Sequence, residues 1–270
     1  MSSVAALRAE VATTLWYHTM ELAPGVMTPG WFDLRPIVDT LPWPDVRGKR
    51  CLDVGTYDGF LAFELERRGA AEVVAVDLDD HREWDWPARW RARGPEQLSK
   101  LAGPEKGVGF RIAAKALGSD VRRVGMSVYR LSEAELGRFD VVVCGSLLLH
   151  LRDPIAALEA IRSVCAGELL SSECIDLRLT LLHPRTPYAR LDGTSELCQR
   201  WTPNAAGHAQ MLESAGFDVV ERGRPYADPF GPGHPTAGRG LRARAVSTVR
   251  RARLGNDGVA HAAILARPAG

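Results

Sequence analysis

The residues best placed to do chemistry lie in one run, Leu52-Asp53-Val54-Gly55-Thr56-Tyr57-Asp58-Gly59-Phe60. An apolar stretch ends beyond an acid, a glycine opens a tight turn, and a helix-forming segment follows. This is the pattern of a nucleotide-binding corner at the carboxyl end of a first strand. Gly55 lets the backbone approach a ligand, and Gly59 lets the helix pack close to the strand. A dinucleotide needs G-x-G-x-x-G, so that its pyrophosphate rests on the helix N-terminus. Here Tyr57 takes the middle glycine's place, and Asp53 and Asp58 would repel a pyrophosphate. They suit a zwitterion bearing an ammonium and a sulfonium, which favours S-adenosylmethionine over NAD. The competing reading is a plain strand–turn–helix corner.

The same logic extends along the chain. Val73-Val74-Ala75-Val76 ends at Asp77, about 20 residues past the loop, where an acid can take both ribose hydroxyls. Leu78 beside it joins Thr56 and Tyr57 in the expected cofactor set. Asp79 and Asp80 read as solvated acids. Ser127, Val128 and Tyr129 fall where an adenine ring would lie, with Tyr129 equally suited to packing. Gly145 and Ser146 would flank the methionine part of the ligand, and His150 follows one turn later, as a site residue or a local cap.

The elements that must hold these residues are legible as an alternation. Strands are expected at 50–54, 72–76, 121–126, 139–144 and 168–175, with helices at 58–68, 110–117 and 154–164. Val-rich runs separated by helices point to parallel strands joined by right-handed crossovers. The fold class is therefore α/β, a doubly wound Rossmann-like sheet of seven mostly parallel strands with an N-terminal cap. The cap spans 1–48 and the main domain 49–270, with a lid or acceptor loop at 176–200 and a Gly/Pro/Arg-rich insertion at 227–260. Residues 217–221 and 262–266 are expected to pair as a terminal hairpin. The stretch from Trp84 to Ala102 gives no clear pattern.

Composition bounds the function. The chain has 270 residues, 46% hydrophobic and 25% charged, with a net charge of +1. That is enough for one large core, and it neither demands nor excludes a polyanionic partner. Five scattered cysteines without a C-x-x-C pair argue against a disulfide framework or a zinc site; no metal is expected. Neither a signal peptide nor a bilayer-spanning run is evident, so a cytoplasmic protein is expected.

At this point the residues resemble class I methyltransferases, and within them the tRNA wobble-uridine carboxymethyltransferase-like group. The resemblance rests on Trp16-Tyr17-His18, Gly25-Val26, Trp31-Phe32-Asp33-Leu34-Arg35, the LDVGTYDG loop, Phe139 to Pro154, and Trp201-Thr202-Pro203-Asn204. It runs from about Thr13 to Tyr226. It implies S-adenosylmethionine across the carboxyl edge of the sheet, with Trp31 and Arg35 near its methionine end and Arg35 on its carboxylate. The carboxymethyl-transferring enzymes hold their extra carboxylate with a cap lysine and a tyrosine. Here Leu149 replaces that tyrosine and Trp16 to Leu41 contains no lysine. A buried carboxylate without a cationic partner is costly, so the ordinary cofactor and simple methyl transfer are expected.

Candidate general bases are His18, then His150 and His183. Tyr17, His183, Tyr188, Arg190 and Trp201 are candidate acceptor contacts; Trp16 and Tyr17 could equally be core, and Arg190 a surface ion pair. Three functions follow: a small-molecule O- or N-methyltransferase, an RNA methyltransferase, or a non-catalytic cofactor-binding regulator. The RNA reading rests on Arg239, Arg242, Arg244, Arg250, Arg251 and Arg253, which also read as a solvated face. Oligomeric state is left open.

Overall fold

The computed structural model describes residues 4–102, 106–192, 198–235, 248 and 251–270. Most of the Arg-rich segment (Arg239, Arg242, Arg244 and Arg250) lies outside the described residues.

The main sheet is built from β1 (Arg50–Val54), β2 (Glu72–Asp77), β3 (Arg122–Gly125), β4 (Phe139–Gly145), β5 (Cys165–Cys174), β6 (Phe217–Arg222), β7 (Tyr226–Pro229) and β8 (Gly258–Pro268). Its order is β6-β8-β5-β4-β1-β2-β3, seven strands across, with the short β7 added against the front half of β8. β5, β4, β1, β2 and β3 pair in parallel, and β8 runs antiparallel between β5 and β6. The expected terminal hairpin thus forms, but β8 begins at Gly258 and β7 precedes it, so the insertion before the last strand is 230–257 rather than 227–260.

The parallel strands are buried on both faces because helices cover both. Cys51, Val73, Ala75, Val141 and Val143 face one core with α2 (Phe60–Arg67), α3 (Val108–Leu117) and the N-terminal α1 (Val4–Thr13). Leu52, Val54, Val74, Val76, Val142 and Cys144 face the other, under α4 (Pro154–Val164) and α5 (Ala205–Ser214). Each of the last two helices starts where its sequence signals it: Asp153 accepts from Ala156 N with proline at the first turn, and Asn204 accepts from Gly207 N. The 84–102 stretch forms two short helices, Ala88–Arg91 and Pro95–Ala102, with Trp86 buried beside Cys198.

The chain leaves β1 towards β2 and β3, then returns to β4 on the other side of β1. That reversal opens a crevice beyond the carboxyl ends of β1 and β4. The cap roofs it. Phe32 bridges both His18 and Phe230, Gly231 N donates to Trp31 O, and Asp33 N donates to Pro229 O. The cap is therefore joined to the start of the insertion, a contact between segments 200 residues apart that no local pattern announces.

Candidate active site

The cofactor loop has the geometry its residues require. Gly55 has φ +81°, and a Cβ there would lie 3.2 Å from Leu147 Cδ2. Tyr57 is left-handed at φ 48°. Asp77, at the end of β2, accepts from Tyr57 N and from Leu78 N, both at 2.7 Å. Each of its oxygens keeps a second lone pair for a ribose hydroxyl. Asp53 is 1% exposed, and its Oδ2 has no partner. Burial pushes Asp53 up to about 7 and raises Asp77 as well. Both acids stay raised by burial despite Arg123 near Asp77 and His18 near Asp53, and they lie next to the glycine cradle. A cationic sulfonium–ammonium ligand supplies positive charge beside them.

Asp58 is hydrogen-bonded to the cap. Its Oδ2 accepts from Tyr17 N and His18 N at 2.8 Å, and its Oδ1 lies 2.5 Å from His18 Nδ1. It fastens the cap to the loop and aims the His18 ring, which also stacks on Phe60 with centroids 5.2 Å apart. Tyr17 packs against Tyr57 at 5.4 Å and Phe32 at 5.1 Å, so core packing and a place above the loop coincide. Burial, with Asp228 next, raises its phenol. Trp31 lies 6.4 Å from Tyr17 on the same roof.

Arg35 is placed differently from the expectation. Its Nε and Nη2 fork onto Asp33 at 2.8 and 2.7 Å, and its side chain is 45% exposed. The acid two residues earlier is its partner in this structure. Ser127 and Val128 open a 3-10 turn just after β3, beside Asp77 O. Tyr129 is a strut: its hydroxyl donates to Asp85 Oδ2 at 2.6 Å and accepts from Asp153 N. His150 is half-buried on the 3-10 turn Leu148–His150.

The lid candidates sit further out. His183 and Tyr188 contact each other at 4.6 Å, Tyr188 is 44% exposed, and Arg190 reaches Asp176 at 3.4 Å. Trp201 Nε1 donates to Arg152 O at 3.3 Å. The partners of these four lie within the lid and its neighbouring loops.

Several polar residues escaped the sequence reading. Glu173, on β5, accepts from Leu147 N and Leu148 N at 3.2 Å, and burial pushes it up to about 8. Asp228 on β7 and His261 on β8 lie 3.2 Å apart, and His261 reaches Ser146 Oγ at 2.9 Å. Asp85 accepts from Tyr129 and from Arg152 N, tying the loops after β3 and β4 together. The signal was available for Glu173 and His261: each is a polar residue within a run of apolar or small ones, 169–175 and 258–266.

With the geometry in place, comparison with known proteins agrees. The family described as methyltransferase domain matches residues 33–222. A ubiquinone biosynthesis O-methyltransferase of Neisseria meningitidis is 28% identical over 193 residues, covering 67% of this chain and 69% of that protein. One from Hahella chejuensis is 34% identical over 113 residues, covering 42% of this chain and 37% of that protein. The crystal structure of the Burkholderia thailandensis 1,6-didemethyltoxoflavin-N1-methyltransferase shares the fold, with a TM-score of 0.51 and 18% identity over 88% of this chain and 78% of that one. The acid-lined corner, the switch point above it and the match over most of the domain place this chain in the methyltransferase domain family, as an S-adenosylmethionine-dependent class I enzyme.

Proposed function

We propose that the enzyme methylates a hydroxyl group of a small molecule, enclosed in the cytoplasm between a cap (1–48) and the main domain (49–270). The observation that carries this reading is His18: Asp58 fixes its Nδ1 at 2.5 Å beside the cofactor loop, and its charge acts on the buried acids Asp53 and Asp228. An oriented imidazole next to a nucleotide corner suits an acceptor that must be positioned and must lose a proton. S-adenosylmethionine supplies a methyl group already activated on a sulfonium. The residues that would hold it are Asp53, Gly55 and Asp77, with Gly145 and Ser146 at its methionine end. The cap's Tyr17 and Trp31 exclude water and align the acceptor, a contribution of roughly 7–11 kcal/mol in well-oriented systems. The lid residues His183, Tyr188, Arg190 and Trp201 would border the acceptor's entrance. The names of the bacterial relatives, O-methyltransferases of ubiquinone biosynthesis, support oxygen as the acceptor atom. Among the described residues no helix is long and apolar enough to cross a membrane.

The test is release of S-adenosylhomocysteine with a panel of phenols, quinols, hydroxy acids, sugars and amines, followed by mass spectrometry of the product. A methyl ether is the expected outcome. The competing acceptor is RNA, a reading that rests on the Arg-rich segment 239–253; turnover confined to RNA or to amines would replace the O-methylation reading.

A further inference from the structure

Asp228, on β7 of the sheet, pairs with His261 on β8 and also feels the charge of His18 from the cap. Asp228 is 6% exposed, its Oδ1 has no partner, and its Oδ2 lies 3.2 Å from His261 Nε2. The same nitrogen lies 2.9 Å from Ser146 Oγ, while His261 Nδ1 lies 3.0 Å from Val259 O. A carbonyl oxygen only accepts, so Nδ1 carries a proton and Nε2 is the atom that gains or loses one. Ser146 stands at the switch point just past β4. It holds a left-handed backbone at φ 52°, a conformation that suits glycine better. Such a residue persists where its side chain is needed.

We propose that, in the O-methylation argued above, the acceptor's proton leaves through Ser146 Oγ to His261 Nε2, with Asp228 holding the imidazolium. The assignment rests on that reading of the reaction. As the acceptor oxygen bonds to the methyl carbon, the carbon–sulfur electron pair stays with sulfur. The acceptor's proton passes to Ser146 Oγ while the serine's own proton passes to Nε2. His261 then faces Asp228 as an imidazolium beside a carboxylate and returns the proton to solvent after product leaves. Nothing is oxidised or reduced. His18, fixed by Asp58, orients the acceptor oxygen.

The surroundings limit what else can answer to pH. Facing Asp228 and His261 are Tyr17 and His18 from the cap, Glu173 and Cys174 from β5, Tyr226 from β7 and His208 from α5. Burial raises Tyr17, Tyr226 and Cys174, keeping them protonated, and lowers His208 to about 3, keeping it neutral. Glu173 is held by two backbone donors. Among the carboxylates here, burial raises Asp228 and pushes Glu173 up to about 8.

The first arm of the test needs no acceptor. Nitrogen-15 NMR of the ligand-free, histidine-labelled protein should show His261 protonated at Nδ1, with an Nε2 signal that moves with pH and moves differently in Asp228→Asn. A bare Nδ1 with a permanently protonated Nε2 overturns the relay. The second arm measures kcat against pH with a hydroxyl acceptor from the panel. Ser146→Gly suits the left-handed backbone, so it should keep its Tm. It and His261→Gln should lose about 10²–10³-fold in kcat, with the rate rising about tenfold per pH unit because the acceptor must ionise unaided. His18→Gln should raise the acceptor KM and keep the wild-type profile. A wild-type profile in Ser146→Gly, or loss of the profile in His18→Gln instead, overturns the relay alone. Cofactor binding without turnover of any hydroxyl acceptor overturns the O-methylation reading and the relay with it.

Discussion

Asp58 and His18 form the hinge pin between cap and cofactor loop: one carboxylate oxygen accepts two cap backbone N–H groups, and the other meets the His18 ring at 2.5 Å. Asp58 is 1% exposed, so removing it strands three donors away from water. Asp58→Ala is expected to cost about 3–5 kcal/mol of stability. Limited proteolysis should then cut within residues 1–48 under conditions that leave the parent intact. An unchanged Tm and cleavage pattern would show that the cap's core packing and its contacts to Pro229 and Gly231 hold it without Asp58.

Asp77 joins the loop to β2 through Tyr57 N and Leu78 N and is the expected ribose ligand. Asp77→Ala should weaken S-adenosylmethionine and S-adenosylhomocysteine by about 10–100-fold in calorimetric titration, the worth of charge-assisted hydrogen bonds. Affinity within about twofold of the parent would remove Asp77 from the site.

Gly59 tests the packing of the first crossover. Its φ is +95°, and a Cβ would fall 2.5 Å from Phe63 Cε2 and 2.7 Å from Phe110 Cδ2. Backbone strain and overpacking act together in Gly59→Ala, for an expected loss of about 2–4 kcal/mol in denaturant unfolding. A loss below about 1 kcal/mol would mean that the two rings yield freely.

The buried acids set a pH dependence whose sign is fixed. Asp53, at about 7, and Glu173, at about 8, are raised by burial above the ordinary carboxylate range. The folded protein therefore binds these protons more tightly than the unfolded chain. Their stabilising contribution is full below the unfolded values and is lost as pH rises through the folded ones. Tm of the ligand-free protein should fall between about pH 5 and 8, and Glu173→Gln should flatten the fall. A cationic ligand offsets the repulsion, so the thermal shift given by S-adenosylmethionine should grow with pH. A Tm that climbs over this range would contradict the assignment.

What the sequence determined by itself is the local part of the design. The Val-rich strands, the helices opened by Asp153 and Asn204, and the loop from Asp53 to Gly59 carry their instructions in adjacent residues: burial on both faces, a capping side chain, a backbone only glycine tolerates. The α/β class and the cofactor corner follow from these. Leu149 and the absence of cap lysines likewise argued for the ordinary cofactor from residue types alone.

Tertiary structure decided what depends on long-range proximity. Asp58 looked like a ligand-facing acid and is the staple of the cap, because its partners lie 40 residues earlier. Arg35 met a nearer acid, Asp33. Ser146 and His261 are 115 residues apart and become neighbours only because β8 inserts antiparallel beside β5, which follows β4 in the sheet. A side chain's neighbours along the strand are written in the sequence; its neighbours across the sheet are set by strand order and register, and these arise only when the whole core is assembled.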